Sequence, residues 1–115
     1  MTIKAYTDLP QSKILAEILP LESADMFWLV LGNAPRVHVL TEPLSNYSQW
    51  ESYPCWSLAA LLDALQYPTL FQRADKKWGC TVWIDTTKPR SISCKDEPVD
   101  ACVDLVIRLH KQNLL

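Results

Sequence analysis

Cys55 is the residue best placed for chemistry in this 115-residue sequence. It stands just before the leucine-rich run Ser57-Leu58-Ala59-Ala60-Leu61-Leu62. A helix starting there would stabilise a thiolate through the positive end of its dipole. A thiol nucleophile also needs a base, and His38 and His110 are the only histidines. No nucleophile motif surrounds Cys55, so a buried structural thiol between Trp28 or Trp56 and a sheet is the commoner reading of such a residue. A zinc site would draw on Cys80, Cys94, Cys102 and His110, whose gaps of 14, 8 and 8 residues lack the close pairs typical of structural zinc. Core cysteines beside a hydrogen-bonded histidine fit that spacing better. Paired carboxylates and a Ser/His/Asp arrangement are absent as patterns. With only Gly32 and Gly79, a phosphate-cradling loop is also missing. No catalytic residue, metal ligand or cofactor is assigned.

Two constellations point to binding. Tyr47, Trp50 and Tyr53 recur at three-residue spacing in a polar, aperiodic segment, with Trp56 just beyond. Exposed aromatics of this kind supply contact area at little entropic cost, which is what a partner-contact surface needs. The alternative is a loop that folds its rings back over the sheet. The second constellation is basic: Arg73, Lys76 and Lys77 beside Trp78, followed by Lys88, Arg90 and Lys95, with Trp83 as a further ring. Cations interleaved with stacking surfaces suit nucleic acid. The chain carries no known reader motif, however, and a solvated hairpin loop explains the same residues.

Charge sharpens the contrast. The net charge is −2. Residues 1–65 carry three basic and seven acidic side chains, residues 66–95 six against two, and the last twenty two against four. Such a layout suits self-association or a charged partner as well as an ordinary solvated surface. Hydrophobic residues make up 49% and charged residues 21%, the balance of a folded globular domain rather than a disordered chain. Length predicts a single domain over residues 1–115. The N-terminus has no apolar signal core, and the longest apolar run, Met26 to Leu31, is too short for a bilayer. Cysteines without a tight framework then read as reduced thiols in a cytoplasmic protein.

The elements that must position these residues follow from periodicity. A first helix is predicted from Asp8, with a capping box to Gln11, a buried stripe of Ile14, Leu15, Ile18 and Leu19, and a stop at Pro20. Residues 26–31 read as a strand, Gly32 to Pro35 as a turn and 36–41 as the return strand, with Val37 and Val39 on its core face. Residues 42–54 read as a loop or short irregular helix. The clearest helix spans about Leu58 to Gln66, capped by Ser57 and stapled by Trp56 on Leu61. Strands are expected over 70–73 and 80–85, with a short edge strand at 91–94. A last helix is predicted with Asp96 or Glu97 as its cap and Pro98 in its first turn, placing Val99, Cys102, Val103, Val106, Leu109 and His110 on one face. The order α-β-β-α-β-β-α predicts a two-layer α+β fold, its helices packed on one face of a mainly antiparallel sheet. Residues 14–43 and 60–89 also suggest a helix–hairpin unit stated twice.

Three segments carry a resemblance: Gln11 to Met26, Cys55 to Leu62, and Pro98 to Cys102 with the closing Leu109-His110-Lys111. They resemble a family of small uncharacterised proteins of Bacteroidales-type gut bacteria, often within prophage or other mobile-element regions. The resemblance implies a cytoplasmic accessory protein of mobile DNA and carries no catalytic residue with it. The expected function is therefore non-enzymatic: binding a protein partner, or the chain itself, through Tyr47, Trp50 and Tyr53. A nucleic-acid-binding accessory protein using Arg73, Lys76, Lys77 and Trp78 is the second reading, and a thiol enzyme on Cys55 the third. No membrane partner is expected.

Overall fold

The computed structural model describes residues 3–32, 34–39, 50–83 and 89–115. Along the chain run α1 (Leu9–Leu15), a 3-10 turn (Leu21–Ser23), β1 (Met26–Leu31), β2 (Ala34–Val39), β3 (Glu51–Cys55) and α2 (Leu58–Ala64). They are followed by β4 (Pro68–Gln72), β5 (Trp78–Trp83), β6 (Pro89–Lys95) and α3 (Pro98–Lys111). The class is α+β, with helices packed against antiparallel sheet. The strands form two three-stranded sheets, ordered β2-β1-β3 and β4-β5-β6, rather than one. The added strand is β3, from the segment expected to be loop or irregular helix. Pro54 and Cys55 are both buried there, which erases the period-two signal. β6 is an outer strand as expected, but it runs over seven residues rather than four.

Proline placement follows the sheet topology. Pro35, Pro54, Pro68 and Pro89 all lie on outer strands, and the central strands β1 and β5 contain none. A strand proline lacks the amide that an inner strand must donate, so only outer strands tolerate it.

The caps of α1 and α2 are built as their residues predict, whereas Glu97, at the N-cap of α3, makes no side-chain capping hydrogen bond and its carboxylate accepts from the Lys4 amide instead. Asp8 Oδ1 accepts from the Gln11 amide at 2.8 Å, and Gln11 Oε1 accepts from the Asp8 amide at 3.1 Å. The helix they start is shorter than expected. It ends at Leu15, leaving Ile14 exposed while Leu15 and Leu19 are buried. Ser57 Oγ accepts from the Ala60 amide at 3.2 Å, and both its amide and its hydroxyl donate to the Asp25 carboxylate. Trp56 and Leu61, the expected staple, are both fully buried. At the end of α3 the Leu114 amide donates to Leu109 O and the Asn113 amide to His110 O, with Asn113 at φ 58°. That is a Schellman cap with asparagine in the left-handed position.

The main core is assembled on α3. Val99, Ala101, Cys102, Val103, Leu105, Val106 and Leu109 pack with Cys80 and Val82 of β5, Leu61 and Leu65, Leu15, Leu19 and Trp56. Complete burial of Leu105 or Val106 stabilises by about 1.5–3 kcal/mol each. His110, expected on this face, is instead exposed. Among the described residues, β1–β3 contribute nothing to this cluster. The first sheet stands beside the core, attached through α1 packed on β3 and through the N-terminal segment. There the Thr7 amide donates to Trp56 O at 3.0 Å and the Leu58 amide to Ala5 O at 3.1 Å.

Consequently β2 is exposed along most of its length, and Val39 and Val37 do not face a core. The helix–hairpin order does recur, as α1-β1-β2 and α2-β4-β5. The likeness stops there, because β3 joins β1 while β6 joins β5. Among the described residues no helix is long and apolar enough to cross a membrane.

Candidate interaction surface

Cys55 is fully buried. Its Sγ lies 3.4 Å from Thr7 O and 3.5 Å from Thr7 Oγ1, in a network that also joins Ser12 Oγ to Thr7 Oγ1 at 2.7 Å. Burial pushes the thiol up, only partly offset by the hydrogen bonds from Thr7 and Ser12. His38 cannot serve it as a base. Cys55 pairs with Met26 and His38 with Phe27, so the two side chains leave opposite faces of the sheet. His38 is instead stacked on Phe27, ring centroids 5.3 Å apart.

The second thiol set is also divided. Cys102 of α3 donates to Cys80 of β5 at 3.5 Å, both buried. The Cys80 sulfur and burial together push the Cys102 thiol up. Cys94 pairs with Gly79, one position out of step with Cys80, and so lies on the sheet face turned away from α3. With His110 exposed near the end of α3, the four do not form one set of ligands.

The basic segment is centred on the β4–β5 turn, held by the Arg73 amide to Lys77 O at 2.7 Å. Arg73 is bound by Asp75 at 3.3 Å. Trp78, half-buried, lines a cleft of about 440 Å³ together with Ile3, Lys76, Lys77, Asp75, Asp96 and Glu97. The structure thus brings Lys76, Lys77 and Trp78 together, but beside three carboxylates. A phosphate backbone would meet mixed charge there.

The aromatic constellation separates. Tyr47 lies outside the described residues. Tyr53 sits in β3, donating to Glu51 Oε1 at 2.8 Å, with Lys13 Nζ 4.9 Å from its ring centroid. The Glu51 carboxylate raises the Tyr53 phenol above its ordinary value. Trp50 immediately precedes β3 and is 45% exposed. Continued by one residue, the alternation of β3 would set its side chain on the face opposite Tyr53. Extending the β1–β3 register by one step sets Trp50 across from Leu31, itself 52% exposed.

Sequence reasoning missed the larger feature, the first sheet's outer strand β2, which no other described strand pairs on its far side. On one face Trp28 donates to Thr7 O at 3.1 Å and meets Tyr6 edge-on, so the N-terminal segment covers the centre of that face. Pro35 and Val39 continue the apolar row beyond this cover, Val39 being 67% exposed. The signal was present in Val37 and Val39, but alternation cannot tell a face covered by another element from one left open.

No protein-family model, curated protein or solved structure matches the chain.

Proposed function

We propose that the chain acts by binding a protein partner through its first sheet, as a cytoplasmic accessory protein of the mobile-element kind that the resemblance implies. One observation carries this reading. The sheet stands beside the core instead of closing it, and Leu31, Val39 and Trp50 leave apolar surface in solvent on both its faces. Monomeric surfaces scatter such residues singly, whereas three of them gathered on one small sheet mark contact. Nothing about the buried thiols favours an enzyme over this role.

The test is affinity capture from host lysate with the wild-type chain and with Trp50→Ala and Val39→Asp, each with and without nuclease. A protein retained after nuclease, and lost with both variants at unchanged melting temperature, supports the reading. Capture that disappears with nuclease and with Lys76/Lys77 charge reversal replaces it with nucleic-acid binding. Equal capture by wild type and both variants overturns it.

A further inference from the structure

We infer that the partner joins the first sheet as an added strand on β2, and that the joining segment is extended, with acidic and apolar residues alternating. The inference rests on the protein-binding reading and deepens it. Its geometry starts at the hairpin turn. Leu31 and Ala34 close the β1–β2 hairpin around two residues, the first of them Gly32 at φ 61°. In such hairpins the closing pair exchanges both backbone hydrogen bonds, and bonded and unbonded pairs then alternate. Ala34, Arg36 and His38 therefore turn their amides and carbonyls toward β1, while Pro35, Val37 and Val39 turn theirs outward. Pro35 fits this register, since its missing amide falls on the outer side. Pro54, opposite Phe27 on β3, obeys the same rule across the sheet.

Among the described residues no strand covers the outer side of β2. The amides of Val37 and Val39, with the carbonyls of Pro35, Val37 and Val39, form an open template for strand addition. Side chains then choose the occupant. Val37 and Val39 line one face, and Arg36 and His38 the other. Arg36 is the one charged side chain between Asp25 and Glu42, and it is exposed. Each ion pair among the described residues involves another cation, so Arg36 has no carboxylate partner among them. A strand placing valine-like residues across from Val37 and Val39, and a carboxylate across from Arg36, completes both faces. A second copy of this chain fits poorly. Antiparallel pairing about Val37 sets Arg36 against His38 of that copy, with no carboxylate in either strand.

The probe is a short end-capped peptide alternating valine and glutamate, with lysine replacing glutamate in the control. Both are titrated into the full chain and read by amide NMR and hydrogen exchange. The glutamate peptide is expected to slow exchange of the Val37 and Val39 amides at least about tenfold and to bind about fivefold tighter than the lysine peptide. Arg36→Glu reverses that preference, and Val37→Pro, which removes an outward amide, abolishes binding. Absence of binding, equal binding of the two peptides, or binding that leaves both amides unchanged overturns the inference. The broader reading fails separately: lysate capture lost with Trp50→Ala but intact with Val37→Pro keeps protein binding and rejects strand addition.

Discussion

At the scale of single residues, Lys4 ties the N-terminal segment to two helices. Its Nζ lies 2.9 Å from Asp8, 2.8 Å from Gln11 and 2.8 Å from Asp100, and its amide donates to Glu97 at 3.0 Å. Burial disfavours charge on both Lys4 and Asp100, but their hydrogen bonds and mutual attraction outweigh it. The Asp100 carboxyl is held below its ordinary 3.8 and the Lys4 ammonium above its ordinary 10.5. The signs differ. The Asp100 contribution is present above its unfolded value and disappears as pH falls through the lowered folded value. The Lys4 contribution is present below its unfolded value and disappears as pH rises through the raised folded one. Urea midpoints should therefore decline at both extremes, and Asp100→Asn should flatten the acid limb at a cost of about 1 kcal/mol near neutrality. Thiols offer a second residue-scale prediction. An alkylating reagent should modify half-exposed Cys94 in the native chain, while buried Cys55, Cys80 and Cys102 react only on unfolding. Rapid native labelling of Cys55 would contradict the burial described for it.

At the scale of elements, α3 is the part the molecule can least tolerate losing. Leu105→Ala should cost about 2–5 kcal/mol, read as a lowered urea midpoint at unchanged slope. On β5, Gly79 lets the Phe71 ring lie across the strand, and an added Cβ would come within 2.4 Å of it. Phe71 sits at the surface on an outer strand, so its ring can swing into solvent. Gly79→Ala should therefore displace the ring, detectable as shifted Phe71 resonances, with a loss of about 1 kcal/mol. Much at this scale was legible beforehand. Asp8 with Gln11, Ser57, and Pro98 mark helix starts because capping depends on a few adjacent residues. Strand β3 was not legible, since Tyr53-Pro54-Cys55 is placed by what lies above it, Lys13 and the Thr7 network, and not by its own alternation.

At the scale of the whole molecule, the main core and the proposed binding surface occupy different halves. The core lies between α3, α2, α1 and β5, whereas the proposed contact surface is the first sheet. Trp50→Ala should accordingly weaken partner capture about tenfold or more while shifting the melting temperature by no more than a few degrees. A large loss of stability would return Trp50 to a structural role. Moderate salt should leave capture by the first sheet nearly unchanged if apolar contact dominates, and weaken the acidic-strand component through Arg36 alone.

By itself the sequence determined the helices, the existence of a hairpin after residue 26 (its return strand begins at Ala34, inside the expected turn Gly32 to Pro35, rather than at Arg36), the α+β class and the absence of a recognisable catalytic pattern. Each of these depends on spacing within a few turns or on residue types present or missing. Only the tertiary structure decided that Tyr53 lies in a strand beneath Lys13, that Cys55 is sealed by Thr7, and that Trp78 stands among carboxylates. It also decided that no described strand covers the outer side of β2. Burial, register and cover are properties of pairs of elements distant along the chain, and period-two alternation is the same whether a second layer arrives or not.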